Sequence, residues 1–180
     1  AMSAIIGLDD ALIAKACDEA AQGEVVSPVN FNSPGQVVIA GNKAAVERAN
    51  ELCKAAGAKR ALPLPVSVPS HCALMKPAAA QLATDLASMS FNVPTFAVVN
   101  NVDVAIAADE TAVKDALVRQ LYSPVRWTET IEWLSAQGVT QVVEIGAGKV
   151  LNGLVKRINR DLEVSSVNDL ASFKAAFAAE

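Results

Sequence analysis

The chain has 180 residues, 52% of them apolar and 19% charged, with a formal net charge of −4. This balance supplies a buried core and excludes a disordered tail. With no run of Lys and Arg and no apolar stretch of bilayer length, it also excludes a nucleic-acid footprint and a membrane span, and no segment reads as a signal peptide.

Aromatic residues are 4% of the chain, so the core is expected to be built from Ala, Val, Leu and Ile. Cys17, Cys53 and Cys72 are odd in number, and no pair has metal-ligand spacing. They fit a reducing cytoplasm, with Cys17 and Cys53 read as small apolar residues on helix faces. No metal site or resident cofactor is expected.

In chain order, residues 2–6 form a β-rich run that reads as a strand already under way. Asp9 is a candidate N-cap for a helix over 10–22, which Gly23 ends. Residues 25–31 read as a strand, Asn32-Ser33-Pro34-Gly35 as a turn and 36–40 as a second strand. A helix over 44–56 stops at Gly57, and 59–64 read as a strand. The order β-α-β-β-α-β is that of a ferredoxin-like unit, giving a first domain over 1–65.

Pro63, Pro65 and Pro69 punctuate an extended linker. The second domain, 66–180, then opens on a helix over 72–88. A buried strand is expected over 95–100, with 102–109 unassigned. Helices over 111–121 and 128–137 follow, the second stopped by Gly138. A strand over 142–145 leads through Gly146-Ala147-Gly148 into a helix over 149–160. A strand over 164–167 and a helix from Leu170 close the series. Strands alternating with helices predict part of a parallel α/β sheet. The fold class is therefore α/β with an α+β small subdomain. About three strands are too few for a complete sheet of this type, so the missing strands are expected from a preceding segment of the same protein.

His71 is the only histidine. It sits between an extended segment and a helix, where α/β folds often place function, and its imidazole suits general acid/base work. A structural or surface histidine is the alternative reading. Ser70 beside it is no dyad partner, because neighbours in an extended segment point to opposite faces. No Gly-x-Ser-x-Gly occurs, so a histidine base stands without a visible nucleophile. Gly146-Ala147-Gly148 reads as a tight strand-to-helix turn rather than a phosphate loop. Asn30, Asn32 and Gln36 flank the hairpin. Lys59 and Arg60 form a basic pair, either a solvated edge or a contact for an anionic partner. Gln120 ends a helix before Tyr122-Ser123-Pro124.

The order of these pieces is informative. Val29-Asn30-Phe31-Asn32-Ser33-Pro34-Gly35-Gln36-Val37-Val38-Ile39-Ala40-Gly41 resembles the small-subdomain hairpin of bacterial malonyl-CoA:acyl carrier protein transacylases. Pro69-Ser70-His71-Cys72-Ala73-Leu74-Met75 resembles their catalytic-histidine segment. Val99-Asn100-Asn101-Val102, Arg119-Gln120-Leu121-Tyr122-Ser123-Pro124-Val125-Arg126-Trp127 and Glu144-Ile145-Gly146-Ala147-Gly148-Lys149-Val150-Leu151 follow in family order.

The resemblance implies a ferredoxin-like subdomain followed by part of an α/β-hydrolase-like parallel sheet. It implies ping-pong transfer of malonyl from malonyl-CoA, a substrate, to the phosphopantetheine thiol of acyl carrier protein in cytoplasmic fatty acid synthesis. His71 maps to the general base and Gln120 to the residue that orients it. Asn30 and Asn32 map to the acyl and pantetheine channel, and Lys59 and Arg60 to the entrance for CoA phosphates or an acidic carrier. The serine elbow, an oxyanion-hole loop and an arginine for the malonyl carboxylate belong to an N-terminal segment that is absent here. That segment is thus an expected partner, and this chain alone is expected to be inactive. Ala147 stands where the family commonly has proline. Ser70 occupies a position linked to extender-unit choice, which leaves methylmalonyl open. A polyketide synthase acyltransferase domain and a non-catalytic ferredoxin-like binding module are the competing readings.

Overall fold

The computed structural model describes residues 1–92 and 94–177. The chain clusters into two compact units, Ala1–Trp127 and the residues from Thr128 onward.

The first unit opens with β1 (Met2–Ile6), α1 (Asp10–Ala21), β2 (Val26–Ser33), β3 (Gln36–Gly41), α2 (Lys43–Ala55) and β4 (Arg60–Pro63). Asp9 caps α1 through its carboxylate, which accepts from the Ala11 amide. The strands form one antiparallel sheet in the order β2-β3-β1-β4, the arrangement expected of a split β-α-β unit. The hairpin loop is shorter than the sequence predicts. β2 runs on to Ser33, which pairs with Gln36, and only Pro34 and Gly35 turn the chain, with Gly35 at φ 70°.

Both faces of this sheet are buried. Ile5, Val37 and Ile39 pack with Ile13, Cys17, Ala45, Ala49 and Cys53 of the two helices. Val38 and Ala40 alternate to the other face, where they pack with Val29 and Cys72. β3 is therefore buried from Val37 to Gly41, as a central strand covered on both sides must be.

After β4 the first unit continues with a short 3-10 turn (Ala73–Met75), α3 (Lys76–Ala87), β5 (Val99–Asn100), β6 (Ala105–Ile106) and α4 (Glu110–Gln120). The strand expected over 95–100 is a correction. Only Val99–Asn100 is strand, paired antiparallel with β6, and Thr95 to Val98 are exposed. An apolar run of this length satisfies a buried-strand pattern by composition, but among the described residues no second strand covers it.

α5 (Trp127–Ala136) begins at the unit boundary. The second unit holds β7 (Gln141–Ile145), α6 (Val150–Ile158), β8 (Glu163–Val167) and α7 (Leu170–Phe177). β7 and β8 pair in parallel over five residues, the β-α-β crossover that the sequence predicts. Among the described residues no helix is long and apolar enough to cross a membrane.

Candidate active site around His71

Cys72 anchors the segment that carries His71. Its side chain is 1% exposed in the second core cluster, and its Sγ donates to the Pro69 carbonyl at 3.2 Å. Burial pushes the Cys72 thiol up, and pushes that of Cys17 up to about 12, where the neighbouring Cys53 and Asp18 add to it. These thiols pack; they do not attack. With Cys72 pinned beneath the sheet, the preceding residue must reverse the chain. His71 does so at φ 64°, a left-handed conformation uncommon outside glycine.

That reversal sets His71 against the end of α4. Its amide donates to the Leu121 carbonyl at 3.1 Å, and its Nδ1 lies 2.8 Å from the Gln120 main-chain oxygen. The last carbonyls of a helix lack intrahelical partners, and His71 satisfies two of them at once. Because a carbonyl only accepts, Nδ1 carries the proton, and in the neutral ring Nε2 keeps the lone pair that a general base needs. Gln120 thus holds the ring through its backbone, not its side-chain amide.

The segment after α4 runs along the edge of β2. The Phe31 amide donates to the Val125 carbonyl at 2.9 Å, and the Val125 amide to the Val29 carbonyl at 2.8 Å. Asn30 pairs across the sheet with Val38, so it shares the face on which Cys72 packs. One stretch of chain thus holds His71 at residues 120 and 121 and pairs with the β2 backbone beside Asn30 at Val125. Asn32 falls at a register shift between Phe31 and Ser33, where a bulge re-aims a side chain.

Lys59 and Arg60 lie elsewhere. Arg60 is on β4 opposite Ile6, three strands from β2, or about 14 Å at ordinary strand spacing. Both are exposed. The Lys59 stem also covers Gly7, where an added Cβ would fall 2.7 Å from its Cγ and Cδ.

A cleft of about 470 Å³ opens beside α4, walled by Pro94, residues 96–98 and 106–108, Val113, Ala116 and Leu117, with Thr95, Asn100 and Gln120 as its polar members. Such an apolar wall with few polar groups is the ordinary make-up of a ligand site. Asn100 lines this cleft with Gln120, and Asp103 pairs with Arg119, the residue before Gln120; no sequence motif assigned any of the three a role. The Asn100-Asn101 pair was the available signal, since Asn side chains build turns.

In the second unit the Gly146-Ala147-Gly148 turn leads into α6, two of whose first-turn amides are already occupied. Glu144 accepts from the Leu151 amide at 3.1 Å and from the Asn152 amide at 2.9 Å. A carboxylate seated there opposes an incoming phosphate, and the chain passes from β7 to α6 through residues 146–149 alone.

Residues 5–174 match the family model described as Acyl transferase domain. The chain belongs to the acyl transferase domain family. Among its relatives, the malonyl CoA-acyl carrier protein transacylase of Escherichia coli K12 is 67% identical over 98% of the chain, and that of Bacillus subtilis is 44% identical over 98%. A crystal structure of an acyl carrier protein S-malonyltransferase from Vibrio cholerae superposes with a TM-score of 0.95 at 69% identity, over 97% of this chain and 57% of that one. A malonyl-transacylase solved with a type II PKS acyl carrier protein gives a TM-score of 0.97 at 64% identity, over 98% of this chain and 57% of that one. The chain spans 57% of the length of the Escherichia coli relative and 56% of the Bacillus subtilis one.

Proposed function

We propose that this chain is the histidine-bearing part of a malonyl-CoA:acyl carrier protein transacylase acting in fatty acid synthesis. The observation that carries the reading is the Nδ1 contact of His71 with the Gln120 carbonyl, which leaves Nε2 to act as base.

A serine hydroxyl, supplied by residues outside these 180, attacks the malonyl thioester carbonyl while Nε2 of His71 takes its proton. The carbonyl–sulfur bond breaks and the proton passes to the departing CoA sulfur. The phosphopantetheine thiol of acyl carrier protein then attacks the malonyl-serine ester. His71 takes the thiol proton and returns it to the serine oxygen. Asn30 and Asn32 line the acyl path, and Lys59 and Arg60 meet CoA phosphates or an acidic carrier at a distance from the reacting atoms. Support for a covering segment comes from Phe96, 75% exposed in the first unit, and from Ile145 and Val150, 73% and 72% exposed in the second, because large apolar side chains at such exposure mark contact surfaces.

The test mixes this chain with the part of the Escherichia coli relative that lies outside its match, adds malonyl-CoA and holo acyl carrier protein, and reads intact masses. Neither part alone is expected to transfer malonyl. Together they should place the adduct on the Escherichia coli part and then on the carrier, and His71→Ala should slow this by about 10²–10⁴, the usual worth of a positioned base. A malonyl adduct on this chain itself, or transfer indifferent to His71→Ala, overturns the reading. A carrier from fatty acid synthesis and one from a type II polyketide system, run side by side, separate the two acyltransferase settings.

A further inference from the structure

We infer that the loop from Asn100 to Ala105 is a positioning device for the His71 imidazole, acting through a two-pronged clamp between Asp103 and Arg119. The inference rests on the reading of His71 as the base and adds residues to which that reading gives no part.

The loop is shaped by Asn100. Its Oδ1 accepts from the amides of Val102 at 3.1 Å and Asp103 at 2.8 Å, and its Nδ2 donates to the Ala105 carbonyl at 3.0 Å. Val104 is held at φ 55°, a conformation that a β-branched residue adopts only when its surroundings impose it. The loop so formed presents Asp103 to Arg119. Nη1 and Nη2 of Arg119 donate to the two carboxylate oxygens at 2.8 and 2.7 Å, and Nε donates to Asp115 at 2.6 Å. Farther along, the Arg126 amide donates to the Asn101 carbonyl at 3.3 Å and its Nη1 to the Val102 carbonyl at 3.2 Å.

Arg119 and Arg126 flank residues 120 and 121, whose carbonyls hold His71. One loop thus grips the chain on both sides of the pair of acceptors. A planar guanidinium in bidentate contact fixes direction as well as distance, and the direction of the Gln120 carbonyl decides which ring nitrogen carries the proton. Asp103 and Arg119 touch neither the ring nor the cleft; they are positioning residues. Ion pairs as exposed as this one add little to global stability, so their loss should leave the fold intact.

The experiment uses the full 180-residue chain, in which His71 is the only histidine. Its ring nitrogens can be read without ambiguity in a long-range proton–nitrogen correlation spectrum at a pH where the ring is neutral. The unsubstituted chain should show the Nδ1–H tautomer. Asp103→Asn and Arg119→Lys should each shift the ring towards the Nε2–H tautomer while the amide spectrum stays folded. Asp103→Glu should keep the original pattern.

Folded single variants with an unchanged ring overturn the inference. So does a ring shifted just as far in Asp103→Glu, which keeps the carboxylate that Arg119 grips. The spectrum needs no substrate, so failure of malonyl transfer and failure of the clamp are separate results. Transfer lost in Arg119→Lys with an unaltered ring also counts against the clamp.

Discussion

The Nδ1 of His71 meets the main-chain oxygen of Gln120, 49 residues further along, at 2.8 Å. The side chain at position 120 is not part of this contact. Gln120→Ala keeps the carbonyl, so the ring should keep its tautomer and malonyl transfer in the two-part assay should fall by less than about tenfold, or about 1.4 kcal/mol of barrier. His71→Ala should cost about 10²–10⁴ in the same assay. Equal losses for the two variants would show that the amide side chain, not the backbone, orients the base.

Gly41 closes β3 where the chain leaves the sheet for α2. The Asn42 amide donates to the Val25 carbonyl at 2.7 Å, and the Asn42 side-chain oxygen accepts from the Val25 amide at 2.9 Å. This crossing is so close that a Cβ on Gly41 would overlap the Val25 carbonyl oxygen. The backbone there has no positive φ to penalise alanine, so sterics alone decide. Gly41→Ala should destabilise by about 3 kcal/mol, the upper range for overpacking, read as a lower urea midpoint. A midpoint unchanged by the substitution would mean that the β2 edge yields freely.

The first 63 residues were legible because local signals and long-range packing agree there. Asp9, Gly23, Pro34-Gly35 and Gly57 punctuate the chain where the elements change, and the alternation of Val37 and Ile39 against Val38 and Ala40 fits a strand. The site was half legible. His71 stood out as the one imidazole at a junction. What holds it could not be read, because the partner is a backbone carbonyl and any residue at 120 would supply one. Cys72 was legible only as the start of a helix next to His71, and its anchoring role depends on a sheet face that only the folded chain creates. Thr95 to Val98 misled for the opposite reason, since composition carries no information about whether a covering strand exists.

The Arg119 guanidinium holds the Asp103 carboxyl below the usual carboxylate range. A carboxyl lowered on folding stabilises the native state above its unfolded value, about 3.9, and that contribution disappears as pH falls through the lower native value. The unfolding midpoints of the unsubstituted chain and Asp103→Asn should therefore differ by a constant small amount from neutrality down to about pH 4. The difference should close at more acid pH. A difference that shrinks already near neutrality would place another titrating group in control of the loop.

Glu144 bridges the end of β7 to the first turn of α6, capping the amides of Leu151 and Asn152 with its two oxygens. The chain can fold back so tightly because Gly146 and Gly148 take φ 139° and 91° between them, values that L side chains resist. Lys149, at the N-cap position, contributes no side-chain hydrogen bond of its own, so the carboxylate from the preceding strand does that work. Glu144→Ala should cost about 1 kcal/mol, the usual worth of an N-cap, and Glu144→Gln less, because one oxygen remains to accept. Inorganic phosphate should leave the melting temperature of the unsubstituted chain where an equal ionic strength of chloride leaves it, since the incoming anion would meet a carboxylate already seated on the helix end. A phosphate-specific rise would show that the carboxylate swings away, and the turn would then have to be read as an anion site.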